Sequence, residues 1–267
     1  MYPAPRKRFG QNFLQDPAVI ARIITAISPK PGERLVEIGP GRGAITLDLL
    51  TATGKLEAVE LDPELIDSLA KRCEGKGSLT LHHADALHFD LCHLLRGDER
   101  IRLVGNLPYN ISTPLLFHFL VQRHCLLDMH FMLQKEVVDR IVAPPGSRTY
   151  GRLSVMVQTW CQADALFTIP PQAFYPAPQV ESAFFRLIPY GSLPFPVTNP
   201  SWHEWLVAQA FSQRRKTLRN TLKGWVSEAI FHQLEIDAGQ RAEALSVASF
   251  AKLANLTCKT LPPPENC

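Results

Sequence analysis

The feature that most limits what this chain can fold into is a repeated change of period between residues 34 and 143. Short apolar runs rich in β-branched residues, at 35–38, 56–61, 79–82, 101–104 and 129–133, alternate with longer amphipathic stretches at 44–51, 63–73, 113–121 and 135–143. Strand followed by helix at this spacing builds parallel βαβ units, and several in succession predict a doubly wound α/β sheet. With 267 residues, 46% of them hydrophobic, the chain has apolar material enough for such a core without a disulfide or metal staple.

The flanks read differently. Val19, Ile20, Ile23, Ile24 and Ile27 fall at helical spacing, and Pro29 and Pro31 stop that helix. Near residue 170 the alternation gives way to Ile169-Pro-Pro and Phe174-Tyr-Pro-Ala-Pro, a proline-rich loop before a strand at 181–187. Pro189, Pro194, Pro196 and Pro200 mark a stiff linker, beyond which 202–225, 228–234 and 249–256 read as helices. The expected division is a sheet domain at 1–190 and a small all-helical domain at 191–267.

Charge and cysteines exclude more than they identify. Twenty-eight basic against 25 acidic residues leave +3, too little to name a partner. No apolar run approaches the ~18 residues of a membrane span, and the basic leader has no apolar stretch behind it. Neither a membrane nor an exported protein is expected. Cys73, Cys92, Cys125, Cys161, Cys258 and Cys267 are scattered without a CxxC pair and read as reduced thiols in a cytoplasm. His82, His83, His88, Cys92 and His93 are crowded, but their spacing matches no zinc template, so no metal is expected.

The chemistry starts where the first sheet strand ends. Gly39, Gly41 and Gly43 follow a strand and precede a helix, where backbone without Cβ atoms turns tightly and approaches a ligand. A glycine-rich turn with no ligand is the competing reading. Glu60, about 20 residues on, ends the second strand, where a carboxylate takes both ribose hydroxyls of an adenosine cofactor. Asp85 ends the third strand, placed for an adenine amine; either carboxylate alone reads as well as a helix cap. Asp62 before Pro63 is the better cap. GxGxG in place of GxGxxG leans towards S-adenosylmethionine (SAM), which has no pyrophosphate to seat on a helix N-terminus.

The fourth strand runs into Asn106-Leu-Pro-Tyr109. A nucleobase amine has its lone pair delocalised into the ring, and acceptors such as the Asn106 side-chain carbonyl and the Leu107 backbone carbonyl draw it towards sp3 geometry. Pro108 donates no hydrogen, which keeps that edge rich in acceptors. Tyr109 offers a face for a flipped base, a contact worth roughly 1–3 kcal/mol. A turn with one aromatic in the core is the alternative for the tetrapeptide taken alone.

Gly-Gln-Asn-Phe-Leu at 10–14, Glu37-Ile-Gly-Pro-Gly, Gly105-Asn-Leu-Pro-Tyr-Asn-Ile-Ser-Thr and Phe174-Tyr-Pro-Ala-Pro-Gln-Val-Glu-Ser-Ala resemble, in order and over nearly the whole chain, the rRNA adenine N6,N6-dimethyltransferase family, closest to its bacterial small-subunit members. The resemblance implies a Rossmann-like SAM-dependent methyltransferase sheet with a small all-helical C-terminal domain. It implies dimethylation of two adjacent adenosines near the 3′ end of small-subunit (16S) rRNA, in an immature 30S particle, by a cytoplasmic monomer. By the same resemblance Asn12, Leu14, Gly39, Glu60, Asp85 and Asn106 contact SAM, Asn106 and Leu107 serve the reaction, and Tyr109 and Phe174 sandwich the target base.

Arg214, Arg215, Lys216, Arg219 and Lys223 fall on one predicted helix with no acid among them, a spacing that suits RNA phosphates; Arg6-Lys-Arg8 is a second basic cluster. A solvated helix face is the plainer reading of the first. Trp202, Trp205 and Trp225 read as core of the helical domain. The rivals are a large-subunit rRNA methyltransferase of the macrolide-resistance type, an assembly factor that acts mainly by binding, and a nicotinamide dehydrogenase.

Overall fold

The computed structural model describes residue 6 and residues 11–97 and 99–258. β1 (Phe13–Leu14) leads into α1 (Pro17–Ile27). Asp16 starts that helix, its Oδ1 accepting from the amides of Ala18 at 2.8 Å and Val19 at 3.2 Å, with Pro17 at the first helical position. Ile23 and Ile27 are buried, and Ser28 ends the helix in the left-handed region.

The predicted alternation follows as β2 (Leu35–Ile38), α2 (Thr46–Thr53), β3 (Lys55–Glu60), α3 (Pro63–Cys73), β4 (Ser78–His83), β5 (Ile101–Asn106), α4 (Ser112–Val121), β6 (Leu126–Gln134) and α5 (Lys135–Ile141). Asp62 caps α3 as expected, accepting from the Glu64 amide at 3.2 Å. Two long elements lie where the sequence suggested none: α6 (Arg152–Trp160) and β7 (Cys161–Ile169). α6 buries polar Ser154 and Thr159 together with Val155, Met156, Val157 and Trp160, so polarity and burial do not coincide along it. β8 (Phe174–Tyr175) and β9 (Ser182–Pro189) complete the strands.

One seven-stranded sheet has the order β4-β3-β2-β5-β6-β9-β7, and β1 with β8 forms a separate two-stranded ribbon. The pairs β3–β4, β2–β3, β2–β5 and β5–β6 are parallel and β6–β9 antiparallel. Every residue of β2 is buried, and β5 is buried through Gly105, as expected of strands covered on both faces. The strand order reverses between β2 and β5, and the crevice at their carboxyl ends is where an open α/β sheet takes a ligand. Gly105 makes the close approach possible: a Cβ there would stand 2.5 Å from the Ile38 carbonyl oxygen.

The chain divides into two compact units. The first holds residues up to Val138 with Asp164–Pro189; the second holds Asp139–Ala163 with the residues from Tyr190 onward. A boundary at 190 therefore coincides with one junction, while α6 groups with the helices, a long-range placement that the local sequence does not encode.

The second unit adds α7 (Pro200–Ala210), α8 (Leu218–Thr221), α9 (Glu228–Gln233) and α10 (Val247–Thr257). The continuous helix expected over 202–225 is broken. α7 stops at Ala210, 211–217 form turns, and the amides of Leu218 and Arg219 donate to the carbonyls of Gln240 and Ala238, both at 2.9 Å. The run Ser212 to Lys216 offers no apolar side chain to bury, so tertiary backbone bonds win over helical propensity there. Trp202 and Trp205 stack in the core with ring centroids 4.8 Å apart, half-buried Trp225 meets Trp205 edge-on at 4.5 Å, and Trp202 Nε1 donates to Thr257 Oγ1 at 2.8 Å.

The cysteines require a correction. Cys92 and Cys125, 33 residues apart, are joined as a disulfide, whereas Cys73, Cys161 and Cys258 are thiols outside any disulfide. Proximity comes from the folding of two separate turns onto each other, which no local spacing announces. Cys267 lies outside the described residues.

Candidate active site

A cavity of about 380 Å³ opens at the carboxyl edge of β2, β3, β4 and β5, within the size range of small-molecule sites. Asn12, Leu14, Gly39, Glu60, Asp85, Asn106, Leu107 and Tyr109 all line it. The glycine turn forms its floor. Gly41 has φ +58°, and a Cβ there would press on the Phe13 ring at 3.2 Å, so glycine meets both the backbone and the packing demand.

Glu60 is 8% exposed and organises this wall. Its Oε1 accepts from the Leu61 and Asp62 amides, each at 2.9 Å, and its Oε2 from the Gly41 amide at 3.1 Å. With two lone pairs per oxygen, one acceptor position remains on Oε2. Burial raises its pKa above the ordinary carboxylate value, and the three amide bonds oppose that rise. Asp85 Oδ1 accepts from the Leu87 amide at 2.9 Å, with His88 Nδ1 3.5 Å from its Oδ2.

The opposite wall is the β5 terminus. Asn106 Nδ2 donates to the Asn12 carbonyl at 2.9 Å, which fixes the side-chain amide and distinguishes its acceptor, Oδ1. The Leu107 amide donates to the Met132 carbonyl at 3.2 Å, and Pro108 has no hydrogen to give. The Tyr109 hydroxyl bonds Ser182 Oγ at 2.6 Å, and burial holds the phenol above its ordinary pKa, with the Ser182 bond opposing.

Phe174 is placed elsewhere. It is 2% exposed, packs in the core with Leu14, Ile169 and Phe184, and does not line the cavity. In the β1–β8 ribbon Phe174 pairs with Leu14 and Tyr175 with Phe13, so neighbouring residues face opposite ways. Tyr175 is the exposed member. The Arg42 guanidinium lies 4.3 Å from the Phe13 ring and 5.7 Å from the Tyr175 ring.

Sequence reasoning passed over Glu37 as a site residue. It lines the cavity at 2% exposure, its Oε2 is buried without a hydrogen-bond partner among the described residues, and burial drives its carboxyl up to about 8, with the Thr46 side chain opposing and the Glu60 charge adding. Without a ligand this carboxyl keeps its proton at neutral pH, and a ligand that brings positive charge would favour its ionised form. The acidic residue two places ahead of the first glycine was the available signal.

The basic residues are spread differently from expectation. Arg214, Arg215 and Lys216 lie in the turns after α7, not on a helix, and Lys223 lies in turns after α8; all four are exposed. Acids arrive from elsewhere in the fold: Arg219 bonds Glu228 at 2.5 Å, and Arg214 Nε lies 3.9 Å from Glu243. Arg6 is tied to Asp62 at 3.0 Å and to Glu64, while Lys7 and Arg8 lie outside the described residues. The crowded histidines disperse to separate partners: His82 to Glu57, His83 to the Leu61 carbonyl, His88 to Asp85 and His93 to Asp90.

With this geometry in place, the comparisons give the class. The family described as "Ribosomal RNA adenine dimethylase" matches residues 4–259, and the chain belongs to that family, whose members are methyltransferases. Two relatives are both named "Ribosomal RNA small subunit methyltransferase A". The one from Marinomonas sp. is 51% identical over 254 residues, covering 95% of this chain and 96% of the relative. The one from Alcanivorax borkumensis is 53% identical over 252 residues, covering 94% and 90%. Among solved structures, a dimethyladenosine transferase from Plasmodium falciparum superposes with a TM-score of 0.80 at 27% identity, covering 92% of this chain and 98% of that one. The 23S rRNA methyltransferase ErmE superposes with 0.73 at 22% identity, covering 92% and 100%, a likeness of fold.

Proposed function

We propose that the chain transfers methyl groups from SAM to the N6 amines of two adjacent adenosines near the 3′ end of small-subunit rRNA. The observation that carries this reading is that Asn106, Leu107 and Tyr109 share one cavity with Gly39, Glu60 and Asp85. The cavity's residues fit SAM: a glycine floor, carboxylates at the ends of β3 and β4, and the unpartnered Glu37 Oε2 facing a cationic ligand's charge. Glu60 and Asp85 would hold the adenosine part, and Asn12, Leu14 and Gly39 the rest. When bound, SAM supplies an electrophilic methyl group on a sulfonium.

The chain's own part is alignment. Asn106 Oδ1 and the Leu107 carbonyl would accept from the adenine amine and turn its lone pair towards the methyl, and Tyr109 would stack on the base. Holding reacting atoms in line is worth roughly 7–11 kcal/mol of barrier. The amine becomes acidic only as it gains the methyl, so it loses its proton to water and no general base is required. The base must arrive unpaired or flipped, because an adenine inside a duplex cannot enter such a cavity. Phe174, sealed in the core, would support the wall from behind unless its loop turns it outward.

Arg214, Arg215, Lys216, Arg219 and Lys223 would meet RNA phosphates, Arg219 only after leaving Glu228. The reading extends to an immature 30S particle as substrate, a cytoplasmic location and a monomeric enzyme. Among the described residues no helix is long and apolar enough to cross a membrane. The test is incubation with isotopically labelled SAM and both ribosomal RNAs, followed by mass spectrometry. Label on adenosine N6 near the 3′ end of the small-subunit RNA is expected. Label on the large-subunit RNA, or on no base, overturns the reading.

A further inference from the structure

Away from the cavity, the segment after β4 and the turn after α4 bring together three side chains that the proposed methyl transfer does not use. Cys92 sits on the short turn Leu91–Leu94 and Cys125 closes the turn Arg123–Cys125, their Cα atoms 5.5 Å apart. His124 Nε2 lies 3.4 Å from Cys92 Sγ, and one donor atom from each of the three residues lies within 4.8 Å of the other two. The turns are also held by bonds that involve no sulfur. Buried Gln122 accepts from the Leu91 amide at 2.7 Å, donates to the Phe89 carbonyl at 3.1 Å, and through its own carbonyl accepts from the Cys125 amide at 3.0 Å. Opening the sulfur–sulfur bond therefore leaves the donors close together.

We propose that Cys92, His124 and Cys125, with the two thiols reduced, form a binding site for one thiophilic d10 cation of the Zn2+ class. Two thiolates and an imidazole are a known donor set for such a cation, with a fourth position left for water. With metal–sulfur bonds of ~2.3 Å and metal–nitrogen bonds of ~2.0 Å, a tetrahedral site needs donors roughly 3.5–3.8 Å apart. The Cys92–His124 distance already falls close to that, and the two sulfurs need only separate from bonding contact. A disulfide alone has no need of an imidazole beside it, whereas a cation held by two sulfurs would take the imidazole as its third ligand. Cys92 is half-buried and His124 exposed, which gives a cation a way in, and Cys125 is buried.

The chemistry balances. A phosphine reductant takes the pair to two thiols, the phosphine leaving as its oxide with oxygen from one water molecule. Binding one divalent cation then releases two thiol protons. This proposal stands apart from the methyl-transfer reading and is tested without measuring activity.

The full-length chain would be reduced with a phosphine without air, freed of excess reductant and titrated with Cd2+. Thiolate-to-metal absorbance, the number of ions bound and the number of protons released would be followed. One Cd2+ per chain with thiolate absorbance and two protons released is expected. The unreduced chain and the reduced Cys92→Ser chain should lack that ion, Cys258→Ser should keep it, and His124→Ala should bind it about tenfold or more weakly. A reduced wild-type chain that takes up no Cd2+, or one whose Cd2+ absorbance persists in Cys92→Ser or without reduction, overturns the site.

Discussion

Where β2, β5 and β6 begin, Arg102 engages all three guanidinium nitrogens. Nε reaches both Asp128 oxygens at 3.1 Å, one terminal nitrogen reaches Glu33 at 2.6 Å, and the other reaches the Ile27 carbonyl at 2.7 Å and Asp128 at 3.0 Å. Burial pushes Asp128 up, but His130 and Arg102 beside it bring it below the ordinary aspartate value. Where the same strands end, Glu37 is buried with an oxygen unmatched and a raised pKa, and a cavity stands open before it. One edge has its charges closed among themselves, and the other leaves an acceptor for something that is not protein. A sheet built on one set of rules thus separates stability from binding by which end of the strand a charge occupies.

The comparison breaks first at the closed edge. Arg102→Ala strands Asp128 and Glu33, and denaturant unfolding should show a loss of about 3–5 kcal/mol. Because the folded-state pKa of Asp128 is lowered, its contribution is present above the ordinary aspartate range and fades as pH falls through the lowered value. The wild-type advantage over the variant should shrink with it. An advantage that grows on acidification would contradict the closed network.

At the open edge, Asn106→Ala should cut single-turnover methyl transfer about 10²–10³-fold, the scale for one preorganised hydrogen-bonding group. Cofactor affinity, measured by calorimetry, should fall far less.

Glu37→Gln sharpens the contrast through its sign. A folded pKa of about 8 against an ordinary value of 4.5 means that the folded chain holds the extra proton between those values. Wild-type stability without cofactor should then decline as pH rises across that window. The Gln variant escapes the decline and should gain on wild type by one to a few kcal/mol at the upper end, while binding SAM more weakly. Melting curves at several pH values that run parallel for the two chains would remove Glu37 from the account. The smallest effect is expected from Tyr109→Phe, which keeps the stacking face and loses one bond to Ser182, about 1 kcal/mol of stability.

Much of this was legible before any coordinates, and the reasons are local. β2 at 35–38 is a short, wholly buried run and α3 at 63–73 carries a helical period and a cap, and both fall at the expected bounds. The glycine turn, Glu60, Asp85 and Asn106 could be placed because a doubly wound sheet puts strand ends side by side. What stayed hidden depends on partners distant in sequence. α6 buries polar Ser154 and Thr159 along with its apolar residues, the basic segment after α7 is turned by backbone bonds from 238 and 240, and Cys92 meets Cys125 only through folded turns. The resemblance implied that Phe174 sandwiches the target base with Tyr109, yet the two-residue register of β8 turns it inward.

The most direct trial of the central claim is a crystal structure of the chain with S-adenosylhomocysteine and adenosine. The account predicts the cofactor's ribose against Glu60, its sulfur on the Asn106 side of the cavity, and the adenosine amine within hydrogen-bonding reach of Asn106 Oδ1. A cofactor seated away from Glu60, or an adenosine that leaves Asn106 and Tyr109 untouched, would contradict it.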